Sequence, residues 1–426
     1  MKMDGVRVVR RLEELYLCGA HDGGAYSRLA FSEEDRKGRE LFASYFRALG
    51  IDPLTDAAGN IIARLDGEEG EKGEKAGAPL PAILIGSHLD TVPGGGKYDG
   101  ALGCVAGLEV VETLLSSGKR LRHPLDVVVF ADEEGARFGS GMMGSGAFSG
   151  ASLGDFSPTA EDSAGVKRAD ALAAFGVNWK EMGKAARERA TVLCSLELHI
   201  EQGGSLFKSG TPIGVVTAIA GVKRREVTIT GEMNHAGSTR MHDRKDALVA
   251  GARFISSAPE IVAAHGDAYS VATVGTIAVR PNAVNVIPGS CTFSLEIRDQ
   301  ELPVIERIDS ELERRLRDVT EASGTTCNFR FISSTSPALM DDGVKNAIIK
   351  ASEEAGYSCS LMPSGAFHDS LTLARSFPCG MIFIPSVNGV SHSPEEFSTE
   401  EDIQKGCDVL LRTVLTLDNT GLQSGA

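Results

Sequence analysis

The sequence predicts an α/β protein whose mostly parallel central sheet, flanked by helices, is interrupted by a smaller ferredoxin-like α+β module. Three observations carry this. Short, wholly apolar runs recur along the chain as buried parallel strands do. Helical patterns separate some of them, which points to layered α/β architecture. A middle segment changes character and reads strand-helix-strand-strand-helix-strand, the order of a split βαβ unit.

Taken in order, "MKMDGVRVVRRLEELY" reads as an amphipathic helix, because it lacks the apolar core of a signal peptide. The charged, Gly-rich stretch "DGEEGEKGEKAGAP" (66–79) reads as a solvated loop. The buried-strand runs are "AILIGS" (82–87), "LDVVVFA" (125–131), "VLCSLEL" (192–198) and "GMIFIP" (380–385), with a helix expected over 101–117. In the middle, "REVTITGEM" (225–233) alternates like a half-buried strand and 244–264 is helical in pattern. Residues 269–299 read as two strands around a turn, followed by a charged helix over 301–322 and a last strand over 326–333.

A chain of 426 residues exceeds what one hydrophobic core usually supports. The expected division is a discontinuous first domain, 1–214 with 336–426, and a second domain over 215–335. The net charge of −15 argues against nucleic acid as a partner. No apolar run approaches the ~20 residues of a membrane span, so no membrane partner is expected. Eight cysteines are scattered with no C-x-x-C pair, which suits reduced thiols and a cytoplasmic location.

Each strand of the first domain runs into possible metal ligands. "AILIGSHLD" ends in His88 and Asp90, and Asp99 follows beyond a Pro/Gly-rich hop. "LDVVVFADEEG" ends in Asp132, Glu133 and Glu134; "VLCSLELHIEQ" ends in Glu197, His199 and Glu201; "GMIFIPSVNGVSH" leads to His392. Open α/β sheets bind ligands beyond the carboxyl ends of their strands. Mixed His/carboxylate sets without thiolate suit Zn²⁺, Mn²⁺ or related divalent ions. Residues i and i+2 share a strand face, so His88 can bind metal while Asp90 accepts from its other ring N–H. Asp99 can bridge two cations. Glu133 and Glu134 point different ways, so one can bind metal and the other serve as general base toward water.

Singly, these residues are unremarkable: a lone His at a strand end is ordinarily a hydrogen-bonded structural group, and "EE" before Gly is a common turn. Together at four strand ends they form a site. "GSGMMG" (139–144) matches G-x-G-x-x-G, but "DEEGARF" separates it from the strand a nucleotide fingerprint should follow, and Glu161 and Asp162 fall in a polar loop.

The long motifs add a resemblance. "GGAYSRLAFSEEDRKGR" (23–39), "GSHLDTVPGGGKYDGALG" (86–103), "EEGARFGSGMMGSGAF" (133–148), "LELHIEQGGSL" (196–206), "MNHAGSTRMHDRKDAL" (233–248), "PNAVNVIPG" (281–289) and "GVSHSPEEFS" (389–398) run nearly end to end. In these the chain resembles the amidase/hydantoinase/carbamoylase family, a branch of the aminoacylase-like dinuclear metallopeptidases. The resemblance implies two divalent ions, Zn²⁺ or Mn²⁺/Co²⁺. His88, Asp99 and His199 would hold one, and Asp99, Glu134 and His392 the other. Glu133 would be the general acid/base and Asp90 the orienter of His88. The middle domain would be a lid that also forms a homodimer. From it His235 would polarise the scissile carbonyl across the dimer, while Asn285 and Arg298 hold a substrate carboxylate. Gln202 would contact a ureido group. Where the family often has "SGAGHDA" this chain has "SGAFHDS" (364–370), which sets Phe367 near the expected substrate pocket; a packing aromatic is the plain alternative.

The implied activity is hydrolysis of a small-molecule ureido or carbamoyl acid, first an N-carbamoyl-L-amino acid, giving amino acid, CO₂ and ammonia. The alternatives are allantoate or ureidopropionate hydrolysis and, less favoured because of His199, a dinuclear exopeptidase. A non-catalytic binding protein has no need of an unligated Glu133.

Overall fold

The computed structural model describes residues 1–20, 26–68, 80–151 and 156–422. The expected loop over 66–79 lies outside these from residue 69 on, as do residues 23–25 of the 23–39 motif. The chain divides into two compact units, Met1–Thr217 with Met340–Ala426, and Ala218–Leu339.

The first unit is built on four parallel strands in the order Leu125–Phe130, Ala82–His88, Val192–Ile200, Cys379–Ile384. Ile61–Leu65 extends the sheet antiparallel at one side and Ile213–Ile219 at the other. Every residue of Ala82–His88, Leu125–Phe130 and Cys379–Ile384 is buried. That explains why these strands read as continuous apolar runs rather than alternating ones. Helix Ala101–Ser117 crosses between the first two parallel strands and is itself buried nearly all round, from Ala101 to Leu114. Apolar side chains of this helix, helix Gly5–Leu17, helix Glu400–Thr420 and the sheet form one core.

In chain order, the Ala82–His88 strand is followed by its neighbour on one side and then by Val192–Ile200 on the other. The crossover direction reverses between them, and a ligand crevice opens beyond such a reversal. His88 and His199 sit on those two strands, at their carboxyl ends.

The second unit is an antiparallel sheet in the order Thr326–Thr335, Gly221–Thr230, Ser290–Asp299, Val271–Thr273, with helices Ala247–His265 and Leu302–Ala322. Ser290–Asp299 alternates strictly between half-buried and buried positions. Cys291, Phe293, Leu295 and Ile297 pack with Phe254, Ile308 and Leu312 in a separate core. By length and composition Ala247–His265 could cross a membrane; here Ala250, Phe254 and Ala258 belong to that core.

Residues 269–299 contain three strands, not the two expected. Thr273 pairs with Glu296 and Ile277 with Phe293, so four steps on one side oppose three on the other. The extra residue makes a bulge, and the Ser294 hydroxyl accepts the Gly275 and Thr276 N–H groups there at 3.2 and 3.0 Å.

Candidate metal centre

His88 ends its strand and is buried. Its Nδ1 lies 2.9 Å from the backbone carbonyl of Asp90. A carbonyl can only accept, so Nδ1 carries a proton and Nε2 is the ring nitrogen left to face the site. The Asp90 carboxylate does not take this ring N–H as the sequence reading expected, since its nearest oxygen is 3.8 Å away. It accepts instead the backbone N–H groups of Glu133 at 3.3 Å and Glu134 at 3.2 Å. The chain turns after His88 so that the Asp90 carbonyl folds back under the ring, and the carboxylate is left to hold the adjacent strand end.

Asp99 reaches over the site from the loop before helix Ala101–Ser117. Its Oδ1 is 3.6 Å from His88 Nε2 and 3.2 Å from His199 Nε2. Its Oδ2 is 3.2 Å from His392 Nε2. Gly100 follows with φ +65, and a Cβ there would stand 2.4 Å from the His88 ring, so only glycine lets the loop pass. Glu396 holds this loop by accepting the N–H groups of Tyr98 and Asp99 at 2.9 and 3.1 Å. His199 directs Nδ1 to the Ile200 carbonyl at 2.8 Å and thus presents Nε2 inward, as His88 does. Glu134 Oε2 stands 3.6 Å from His392 Nε2, and Glu133 Oε2 stands 3.6 Å from His88 Nε2.

Two groups of ligand-type atoms result, each lying within 4.8 Å of one another: His88, Asp99 and His199, and Asp99, Glu134 and His392. Asp99 is common to both. Glu133 falls in a third group, with His88 and Glu134.

Gln202, with φ +57, points its amide into this cluster, where Nε2 donates to Asp99 Oδ2 at 2.7 Å. Phe367 is half-buried beside His368, whose ring meets that of His199 edge-on at 4.5 Å and whose Nε2 is 2.8 Å from the Ser364 hydroxyl. His368 was missed by sequence reasoning; with Glu197 and His199 it forms a further group of ligand-type atoms. Nothing in the sequence separates it from a packing residue.

Other acids at the strand ends have structural work. Glu197 accepts from the hydroxyls of Ser87 at 2.9 Å and Ser370 at 2.7 Å. Glu201 caps the turn that follows by accepting the N–H groups of Ser205 and Leu206. Behind "GSGMMG" lies a packing reason too: a Cβ at Gly141 would stand 1.9 Å from the Glu133 carbonyl oxygen.

In the second unit His235 is exposed, and its Nδ1 accepts the N–H groups of Gly237 and Ser238 at 3.1 and 3.2 Å. Ala236 N–H donates to the Asn285 carbonyl at 3.0 Å, which sets the His235 and Asn285 loops side by side. Arg298 donates through Nε to Glu296 at 2.7 Å.

Burial raises Glu133 well above the usual carboxylate range, partly offset by His88. Burial and the Asp99 charge lift Glu134 to about 7. Burial also opposes the charge on Asp99, but the His199, His392 and His88 rings that surround the carboxylate outweigh it and hold Asp99 well below its ordinary value. The hydrogen bond to Asp99 lifts His392 to about 9. Acids crowded this closely out of water call for positive charge among them.

The sequence pattern of peptidase family M20/M25/M40 matches residues 84–416. The chain belongs to that family. An N-carbamoyl-L-amino acid amidohydrolase of Geobacillus stearothermophilus is 39% identical over 415 residues, 97% of this chain and 99% of the relative. The allantoate amidohydrolase of Bacillus subtilis is 34% identical and covers 94% of both chains. The crystal structure of a Burkholderia multivorans amidase of the hydantoinase/carbamoylase family superposes with a TM-score of 0.87 at 33% identity, covering 97% of this chain and 98% of that one. This protein is thus an amidohydrolase of the family's hydantoinase/carbamoylase branch.

The amidohydrolase's donor set fits divalent ions. Among the described residues, three imidazoles present Nε2 toward one carboxylate, a further carboxylate completes the second group, and no thiolate intrudes. Divalent ions in such a set supply Lewis acidity toward a carbonyl and make water more acidic.

Proposed function

We propose that this amidohydrolase cleaves the ureido C–N bond of an N-carbamoyl-L-amino acid. The observation that carries the reading is the end-to-end likeness to the Geobacillus enzyme, 39% identical over 97% of this chain. The site geometry supports it, because Glu133 is a buried carboxylate at the edge of the two ligand groups rather than in either. In the proposed scheme His88, Asp99 and His199 hold one divalent ion, and Asp99, Glu134 and His392 the other. Zn²⁺, Mn²⁺ and Co²⁺ all suit these ligands. Glu133 takes a proton from the attacking water. The C–N bond to the amino acid nitrogen then breaks as Glu133 returns the proton to the leaving amine. Carbamate breaks down to ammonia and CO₂, so one water is consumed.

Asp90 keeps Glu133 and Glu134 in place by their backbone N–H groups. The 215–335 domain acts as lid and dimer contact in this scheme. His235 crosses to the partner's site and polarises the carbonyl. Asn285 and Arg298 anchor the α-carboxylate, Gln202 meets the ureido group, and Phe367 bounds the side-chain pocket. Eight free cysteines suit a cytoplasmic enzyme.

The second reading, allantoate hydrolysis, is favoured by the Bacillus subtilis relative at 34% identity. A substrate panel decides between them: N-carbamoyl-L-amino acids, allantoate, β-ureidopropionate and dipeptides, assayed for ammonia or amino acid release with added Mn²⁺, Zn²⁺ or Co²⁺. Carbamoyl amino acids should give the highest kcat/KM. Preference for allantoate would replace the first reading by the second, and preference for dipeptides would overturn both.

A further inference from the structure

We propose that Arg168 is a positioning residue for the Glu133–Glu134 pair, acting through Asp132 and Ser140. The inference rests on the roles given to those two glutamates above. Arg168 is wholly buried, as is Asp132, and its Nη2 lies 3.7 Å from Asp132 Oδ2. Both Asp132 carboxylate oxygens are buried with no hydrogen-bond partner among the described residues, so the guanidinium is their countercharge. The same guanidinium donates to the Ser140 hydroxyl at 2.8 Å and to the Ser140 carbonyl at 2.9 Å. It lies 5.1 Å from the ring centres of both Phe138 and Phe156.

Asp132 and Ser140 are the two ends of the loop that bears Glu133 and Glu134. The ends also meet through the backbone, since Met142 N–H donates to the Glu133 carbonyl at 2.9 Å and Met143 N–H to the Asp132 carbonyl at 3.2 Å. Asp132 is held at φ +55, where a non-glycine residue is strained. Arg168 thus pins a strained turn from behind while Asp90 grips its amides from the front. A buried ion pair adds little stability over an apolar pair of the same volume. Arg168 opens helix Arg168–Ala174, far along the chain from the loop it pins.

The test uses the full-length, metal-loaded enzyme and the substrate the wild type turns over best. Arg168→Met and Arg168→Met with Asp132→Asn should lower kcat by ~10–100-fold with KM within ~3-fold, the scale of a misplaced catalytic group. Arg168→Lys should recover part of the loss. Mn²⁺ titration of the metal-stripped variants should show the site that includes Glu134 weakened by ~10-fold or more. A purely structural role would move the melting temperature and leave kcat per folded molecule unchanged. The inference is overturned if folded Arg168→Met keeps kcat within about twofold of wild type and binds Mn²⁺ like it. Should the arginine variants not fold, Ser140→Ala decides: a several-fold fall in kcat is expected, and an unchanged kcat overturns the inference. Glu133→Gln run beside them separates the two levels. Full turnover there sinks the reading of Glu133 itself, whereas a dead Glu133→Gln beside a wild-type-like Arg168→Met sinks only the positioning role.

Discussion

The carboxylate of Asp90 accepts the backbone N–H of Glu133 at 3.3 Å, while the backbone carbonyl of the same Asp90 holds the ring of His88 at 2.9 Å. One residue therefore ties together the ends of two neighbouring strands and the groups they deliver. Asp90→Asn keeps one acceptor oxygen and should lower kcat by about tenfold. Asp90→Ala leaves both amides without their acceptor, which costs ~1–3 kcal/mol for each buried group. It should lower kcat and the melting temperature together, with metal bound through His88 retained. Steady-state kinetics and calorimetry of the two variants check this ordering.

Arg298 should anchor the substrate carboxylate by a planar fork that lysine cannot reproduce. Arg298→Lys should raise KM, at a cost of roughly 1.5–3 kcal/mol for the lost charge-assisted bond, with metal content unchanged. An amide-capped substrate should bind wild type about as poorly as the free acid binds the variant. Equal handling of capped and free acids by wild type would remove Arg298 from the scheme.

His235 is expected to serve the partner's site. Mixing Glu133→Gln and His235→Ala protomers 1:1 should then restore activity toward about a quarter of wild type, because about half of the reassorted dimers are heterodimers and one of the two sites in each has both groups intact. Activity that stays at the level of the separate variants, with heterodimers shown to form, places His235 in its own protomer's site.

Phe367 should narrow the choice of substrate side chain. Phe367→Gly should raise kcat/KM for bulky N-carbamoyl amino acids over small ones by several-fold, the scale of a hydrophobic pocket contact. An unchanged ratio across the panel would mark Phe367 as packing only.

Much of this was legible in the sequence because buried parallel strands announce themselves as apolar runs, and the residues at their ends follow directly. His88, Glu134 and His199 lie at or just beyond such ends. What was not legible depends on partners distant in the chain or on the backbone. Sequence spacing allows the Asp90 side chain to face His88, but whether carbonyl or carboxylate takes the ring is settled by the turn between them. The hydroxyls of Ser87 and Ser370 that meet the Glu197 carboxylate come from distant parts of the chain. The bulge opposite Ser294 depends on a hydroxyl that accepts two amides, which alternation of apolar residues does not record.

The division of labour between Glu133 and Glu134 is the centre of this account, and metal analysis with turnover on Glu133→Gln and Glu134→Gln tests it most directly. Glu133→Gln should keep the full wild-type metal content and lose turnover by at least ~10², the usual scale for general acid–base catalysis. Glu134→Gln should lose about half of the bound metal, because Glu134 belongs to only one of the two ligand groups. Loss of metal in Glu133→Gln, with full metal and lost turnover in Glu134→Gln, would exchange the two roles and contradict the mechanism.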